Sequence, residues 1–409
     1  MRIAVITQWY PPENVWVPES VVNALRASGH EVTVITGVPH YPSGDVVSGY
    51  RAGNPRDEII DGIKILRVPE YPYRGTGVSG RLAGYTSFAA TSMVRTLLVA
   101  RRFDAAFVYA SPATSALPAM ALKILARVPF ILQVQDVWPD SVVDSGFVTK
   151  SRLLRGISAL LSVFVSLSYK LSSKVLVISP SAKRLLESRG VPEEKLEVLF
   201  NWIEDPLPIK VPNPDEGDSL RDQLGVDNTT RVFFYAGAMG PAQDLPSVIS
   251  AFSAAQVDNR ACLVLVGSGV AFNELHDMST KVEGVHVLNA VPLATARRWT
   301  VECDVGIVSL ADTVLNQSTF PSKIQLLTGI GVPLLVRAPG DTSALAEQTG
   351  SGVGVSSFDV ASLATAFQKM TDMPQEELDH MGRSARLWYE HSFKPTKASA
   401  SLNRILSEL

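Results

Sequence analysis

Short runs of β-branched and apolar residues alternate with stretches of helical length along this chain, and the alternation breaks off once and then resumes. Strand, crossover helix, strand is the pattern of a parallel sheet covered on both faces, so the order of segments constrains the fold more than any single residue does. The first series of strands is expected at Ile3–Thr7, Val32–Thr36, Ile63–Val68, Ala105–Tyr109, Phe130–Val134, Val175–Ile178 and Leu196–Leu199. Helices are expected between them at Pro18–Ser28, Arg81–Arg101, Ser115–Ala126, Ser151–Leu171 and Ser181–Ser188, with Gly29 and Gly190 as stops. Residues 205–230 are acidic and proline-rich, the composition of a linker. Strands then resume at Val232–Tyr235, Cys262–Val266, Val285–Leu288, Val305–Val308, Leu334–Val336 and Gly352–Val355, and the chain closes in helical material from Pro374 to Leu409. No repeat period links the halves, so they are alike in architecture and not in sequence.

The length of 409 residues agrees with two cores. The expected fold is α/β, two Rossmann-like doubly wound parallel-sheet domains with an interdomain cleft, spanning 1–204 and 231–385 around the 205–230 linker, with helices at 386–409. Hydrophobic residues make up 46% and charged residues 19% of the chain, which excludes a disordered protein. Residues 1–205 hold 22 Lys and Arg against 18 acidic residues, and residues 206–409 hold 15 against 22. That asymmetry is too diffuse for nucleic acid and suits a first half working beside anionic lipid or phosphate. Cys262 and Cys303 lie in apolar runs, unlike a disulfide or zinc framework, and point to a reducing cytoplasm. Met1–Thr7 reads as a first strand and not as a signal peptide. Leu153–Leu171 is interrupted by Arg155 and Lys170, so no membrane-spanning helix is expected.

In open α/β sheets, ligands lie beyond the carboxyl ends of the strands, so the loops there hold the candidate chemistry. In the first half these are Gln8–Glu13, Gly37–Gly44 and Gln135–Ser141. They can equally be turns rich in proline and aromatics, and three together favour a site. In the second half, Ala236–Leu245 bears Gly237 and Gly240 and opens a helix, whose N-terminal amides attract phosphate. Val266–Gly269 is a second glycine loop, or simply a tight turn. Phe320–Gln325 is a third element, where Lys323 would sit in the first helical turn and neutralise a diphosphate. Trp138 and Phe320 read as packing residues before sugar platforms.

The motifs Gln135–Ser141, Ala236–Leu245 and Pro321–Gln325 with Gly331-Val332-Pro333, in this order and spacing, resemble the retaining glycosyltransferases of family 4. The similarity is greatest to bacterial polysaccharide enzymes of the fucosamine-transferase type, and extends from the first strand through Pro11-Pro12-Glu13 and His40-Tyr41-Pro42 to the last helices. The resemblance implies the GT-B fold, an acceptor on the first domain, a nucleotide-sugar on the second, no metal or other cofactor, and terminal helices crossing back to the first domain. It implies a donor site of Gly237, Met239, Gly240, Gln243, Asp244, Gly267, Ser268, Ser322, Lys323 and Gln325. Tyr10, His40, Tyr41 and Ser111 fall on the acceptor side; His40 is equally placed as a solvent-facing turn residue. Asp136 is the group best placed for the acceptor hydroxyl, with Glu13 as its competitor; an N-cap is the structural alternative for Asp136. The chain departs from the family where Ala238 and Gln243 replace a basic pair facing the phosphates, where Thr319 and Leu326 replace two glutamates, and where Ser111-Pro112 replaces a histidine. Phosphate binding must then rest on Lys323 and backbone amides, and the ribose contact on Gln325.

Between Tyr50 and Phe103 nine basic residues face four acidic ones, interleaved with Tyr71, Tyr73, Tyr85 and Phe88. The mixture suits a membrane interface or a solvated basic face. The expected partners are a UDP-linked sugar, with an N-acetylated deoxyhexosamine as the expected sugar, and a lipid-linked glycan at the inner face of the cell membrane, with no nucleic acid. A nucleotide-sugar 2-epimerase and a non-catalytic nucleotide-sugar or carbohydrate-binding protein are the competing readings.

Overall fold

The computed structural model of the chain describes residues 1–53, 57–75, 77–138, 152–207 and 219–409. It divides into two compact units, Met1–Trp202 with Pro395–Leu409, and Ile203–Lys394.

The first unit holds β1 (Arg2–Ile6), β2 (Glu31–Gly37), β3 (Asp57–Ile60), β4 (Ile63–Val68), β5 (Ala105–Ala110), β6 (Phe130–Val134), β7 (Lys174–Val177) and β8 (Leu196–Val198) in one sheet, ordered β3-β4-β2-β1-β5-β6-β7-β8. All pairs are parallel except β3 with β4. The central strands are buried on both sides because helices cover both faces, which is why they read as unbroken apolar runs. Strand β3 is not anticipated from the sequence. Its four residues include Asp57 and Glu58, and it forms only because Asp61 and Gly62, both at positive φ (50° and 76°), fold it back on β4 in a two-residue turn. The Asp-Gly pair was the available signal.

One face of the sheet is closed by helix Trp16–Ala27 and by the last helix, Pro395–Ser407: Val21, Val22 and Leu25 share a core with Leu402, Ile405 and Leu406. On the other face lie helices Val78–Leu98 and Arg152–Leu171. The single helix expected at Ser115–Ala126 is instead a 3₁₀ turn (Ala113–Ala116), a short α-helix (Leu117–Ala121) and a π turn (Leu122–Ala126). Pro118, which lacks an amide hydrogen, sits where the α segment begins and so falls at the change of winding.

The second unit is parallel throughout. Strands β9 (Arg231–Ala238), β10 (Ala261–Ser268), β11 (Val285–Asn289), β12 (Val305–Ser309), β13 (Leu334–Arg337) and β14 (Gly352–Val355) are ordered β11-β10-β9-β12-β13-β14. Its core includes Phe233, Phe252 and Phe367, whose rings meet edge to face at centroid distances of 4.9–6.3 Å. Part of the stretch read as linker belongs to this unit. Helix Leu220–Leu224 is fixed by the Arg221–Asp304 pair at 2.8 Å and by Glu302, which accepts from the Ser219 hydroxyl and the Leu220 amide at 2.7 Å each. Residues 208–218 lie outside the described residues. Helix Gln375–Ser392 also stays with the second unit, because Trp388 and Phe393 pack on Phe320.

Candidate active site

In each sheet the order of connections reverses beside one central strand, β1 in the first and β9 in the second. The crevice beyond the carboxyl ends at such a switch point is where a doubly wound sheet binds its ligand, and in each unit that unit's own candidate loops lie at this end.

In the first unit the loops after β1 and β2 are tied together by Glu13. Its buried carboxylate accepts from three backbone amides, Tyr10 at 3.0 Å and His40 and Tyr41 at 2.8 Å each. Burial raises its pKa and the amides draw it back. A carboxylate committed to three donors shapes loops, so its role here is positioning rather than the catalytic contact expected. Tyr10 is also displaced from its expected place: its side chain is buried in the core with Leu25, and only its amide serves the loop. Trp9 and Tyr41 meet at a tilt of 35° with ring centroids 4.7 Å apart, and Tyr85 joins them edge-on at 6.4 Å from Trp9. With Arg81, Tyr71, Tyr73 and Ser111 they line a cavity of about 420 Å³. Ser111 follows β5 and hydrogen-bonds Asp136, which follows β6. Burial raises the Asp136 carboxyl and the Ser111 bond lowers it, leaving a net rise. The structure thus brings Asp136 and Ser111 together, while Pro139, Asp140 and Ser141 lie outside the described residues. Trp138 is buried against Tyr85 at 6.0 Å, as a packing residue.

Two residues of this site escape the sequence reading. Glu70 lies two residues past β4, fully enclosed, with Oε2 accepting from Gln8 Nε2 at 3.0 Å and Oε1 3.3 Å from His40 Nδ1. His40 is buried and not a solvent-facing turn. A Cβ on Gly37 would fall 1.8 Å from Glu70 Oε1, so the carboxylate occupies the place a side chain on β2 would need. A charged residue directly after the apolar strand Ile63–Val68 was the only sequence signal.

In the second unit, β9 and β10 run side by side to their ends, where a Cβ on Gly267 would fall 1.9 Å from the Gly237 carbonyl oxygen. Gly237, at φ 146°, leaves room for Lys323: a side chain there would meet Lys323 Cε and Nζ at 2.7 and 2.9 Å. Lys323 opens helix Lys323–Ile330, beside the exposed Ser322, and places its ammonium 4.5 Å from the centre of the Tyr235 ring. Burial lowers its pKa from the ordinary 10.5 to about 8, and among the described residues no carboxylate pairs with it. A cation placed in this way calls for an anion.

Other expected donor residues are otherwise engaged. Met239 is fully buried in the core, and its amide donates to Ser268 O at 2.8 Å. Ser268 itself is exposed at the end of β10. Gln243 Oε1 accepts from the Gly240 amide at 3.1 Å, closing the turn Pro241–Gln243, so the side chain folds back on its own loop. Asp244 accepts from Ser247 at 2.9 Å and from Arg337 Nη2 at 2.8 Å and is a support for the loop. Gln325 is buried. Arg337, the second residue missed, ends β13 with 3% exposure; its Nε and Nη1 find no partner among the described residues. An arginine closing the apolar run Leu334–Val336 was the signal. Among the described residues no group of three His, Cys, Asp or Glu could hold a metal, and no helix is long and apolar enough to cross a membrane.

This architecture is the GT-B fold of nucleotide-sugar glycosyltransferases. The whole chain aligns with all of the Anabaena HepE structure solved with UDP and glucose, at a TM-score of 0.67 and 16% identity. It aligns equally over its whole length with 98% of α,α-trehalose 6-phosphate synthase from Burkholderia multivorans, at a TM-score of 0.73 and 13% identity. Residues 16–202 match the family described as Glycosyl transferase 4-like domain. In sequence the chain is 26% identical over 353 residues to WcaI of Escherichia coli (strain K12), a protein named for glycosyl transfer in colanic acid biosynthesis, covering 84% of each chain. It is 22% identical over 315 residues, 76% of each chain, to WbjE of Pseudomonas aeruginosa, named as a glycosyltransferase.

Proposed function

We propose that the protein is a glycosyltransferase of polysaccharide biosynthesis that moves a sugar from a UDP-sugar to a lipid-linked glycan with retention of configuration. The observation that carries this reading is Lys323, an ammonium set against Tyr235 and Gly237 at the switch point, without a carboxylate partner among the described residues. A diphosphate supplies the missing charge, and stabilising that diphosphate as it departs is the main electrostatic task of the reaction. The HepE structure with UDP supports the choice of nucleotide. The loop Gly237–Asp244, closed on itself by Gln243 and by the Asp244–Arg337 pair, gives the place beside Lys323 a fixed wall. Asp136 with Ser111 orients the acceptor hydroxyl, and no metal is required because Lys323 carries the positive charge.

The surface of the first unit supports membrane contact. Val94 and Leu98 on helix Val78–Leu98, Ile124 and Leu125 on the π turn, and Leu160 and Val163 on helix Arg152–Leu171 are each more than half exposed. All three elements pack on the short helix Leu117–Ala121, and Arg95, Lys123 and Arg127 are carried on the same part of the unit, a mixture that suits anionic lipid. Supplying UDP-sugars with a lipid-linked acceptor, in EDTA, should release UDP. Donor binding without release in any combination would reduce the protein to a binding module, and loss of release in EDTA would overturn the metal-free reading.

A further inference from the structure

The cavity of the first unit is built for one kind of group. We infer that it receives an anionic oxygen of the acceptor, a phosphoryl or a carboxylate, on Nε2 of His40, with Glu70 as the residue that positions and charges the imidazole. This rests on reading the first unit as the acceptor side, and it adds the chemistry of what is recognised.

The imidazole is fixed from both its backbone and its ring. The His40 amide is held by Glu13, and Nδ1 lies 2.8 Å from the Val38 carbonyl oxygen and 3.3 Å from Glu70 Oε1. Both neighbours are acceptors, so Nδ1 carries a hydrogen whatever the charge of the ring. Nε2 has no partner among the described residues, on a ring that lines the cavity. Glu70 cannot turn away, since Gln8 holds Oε2 and Gly37 gives its carboxylate a seat too small for any other residue. The charged groups facing His40 are Glu70 beyond β4 and Glu13 beyond β1. Of the cavity's described lining, Arg81 is the other cation, and no carboxylate is among them. Burial opposes the imidazolium and raises the Glu70 carboxyl to about 7, but the close contact with Glu70 and its charge outweigh burial at the ring and push His40 up to about 9, so the proton the two share sits on the imidazole. At neutral pH Nε2 therefore donates, and the cavity offers a cation and a donor to whatever enters. A neutral hydroxyl satisfies such a donor; an anionic oxygen satisfies both donor and charge.

The test uses the full chain labelled at histidine carbon for NMR, with the His40 signal assigned by its loss in His40→Gln. Inorganic phosphate, methyl glucuronide and methyl glucoside serve as probes. His40 should stay protonated to above about pH 8, both anions should shift its signal, and the glucoside should bind about tenfold more weakly. Glu70→Gln should lower the His40 midpoint by more than about one unit and weaken phosphate about tenfold at pH 7.5, with binding recovered near pH 6. A merely structural Glu70 would show no such recovery. Glu70→Asp, which keeps the charge, guards against a Gln variant that fails to fold and should retain most of the midpoint. A wild-type His40 titrating below about pH 6.5, or phosphate affinity unchanged in His40→Gln, overturns the inference. Transfer that proceeds equally to acceptors with and without an anionic group overturns it while sparing the proposed function. Anion binding at His40 without any UDP release does the reverse.

Discussion

Lys323 shows how a single residue links folding to ligand. Its pKa in the folded chain, about 8, lies below the ordinary 10.5. Between these values the folded protein has lost a proton that the unfolded chain still holds, so its contribution to stability grows as pH rises through that window. A bound diphosphate keeps the proton on, so affinity for UDP should fall as pH rises above about 8. Lys323→Met should therefore raise the melting temperature without nucleotide by about 2–4 °C. It should also weaken UDP by at least about tenfold at pH 7, with the gap to wild type closing towards pH 10. Calorimetry with UDP across this range checks both. Lys323 was legible in the sequence because a lysine after Pro-Ser at a helix start has few other uses. Met239, Tyr10 and Gln243 were misplaced for a shared reason: sequence says which residues belong to a loop, but only the folded loop decides whether its side chains face ligand, core or their own backbone.

At the scale of elements, the pair β9 and β10 depends on two glycines that touch. Gly267→Ala would drive a methyl group into the Gly237 carbonyl, which must part the two strand ends. We expect a loss of about 2–4 kcal/mol in urea unfolding and, because Gly237 moves, weaker UDP binding as well. Gly156→Ala, where among the described residues no atom beyond its own stretch of helix lies within 4 Å of the new methyl, is the control and should stabilise by about 0.5–1 kcal/mol. Most strands were legible because a strand buried on both faces must be apolar throughout. Strand β3 was not, since it is an edge strand made by its turn, and neither was the broken winding of residues 113–126, which depends on Pro118. Glu70 and Arg337 stand at strand ends where sequence shows an isolated charge but not the partner that explains it.

At the scale of the molecule, the two series of strands in the sequence became two units, yet the chain's last segment belongs with its first. Helix Pro395–Ser407 packs on helix Trp16–Ala27 and adds Leu402, Ile405 and Leu406 to the core that holds Val21, Val22 and Leu25, each buried large side chain contributing about 1.5–3 kcal/mol. A chain ended at Lys394 should show rapid hydrogen exchange in β1, β2 and helix Trp16–Ala27, while β9 to β14 exchange as before. Uniform protection in the shortened chain would contradict this. That crossing rested on resemblance alone, because the amphipathic pattern of a helix shows that it has a partner and not which one.

The return of the last helix also sets an order in time. During synthesis the first sheet leaves the ribosome long before the helix that completes it, and all of Ile203–Lys394 is made in between. At ordinary rates of translation that interval is on the order of tens of seconds. The second unit is complete in sequence before the first, whose core waits through that interval for Leu402, Ile405 and Leu406.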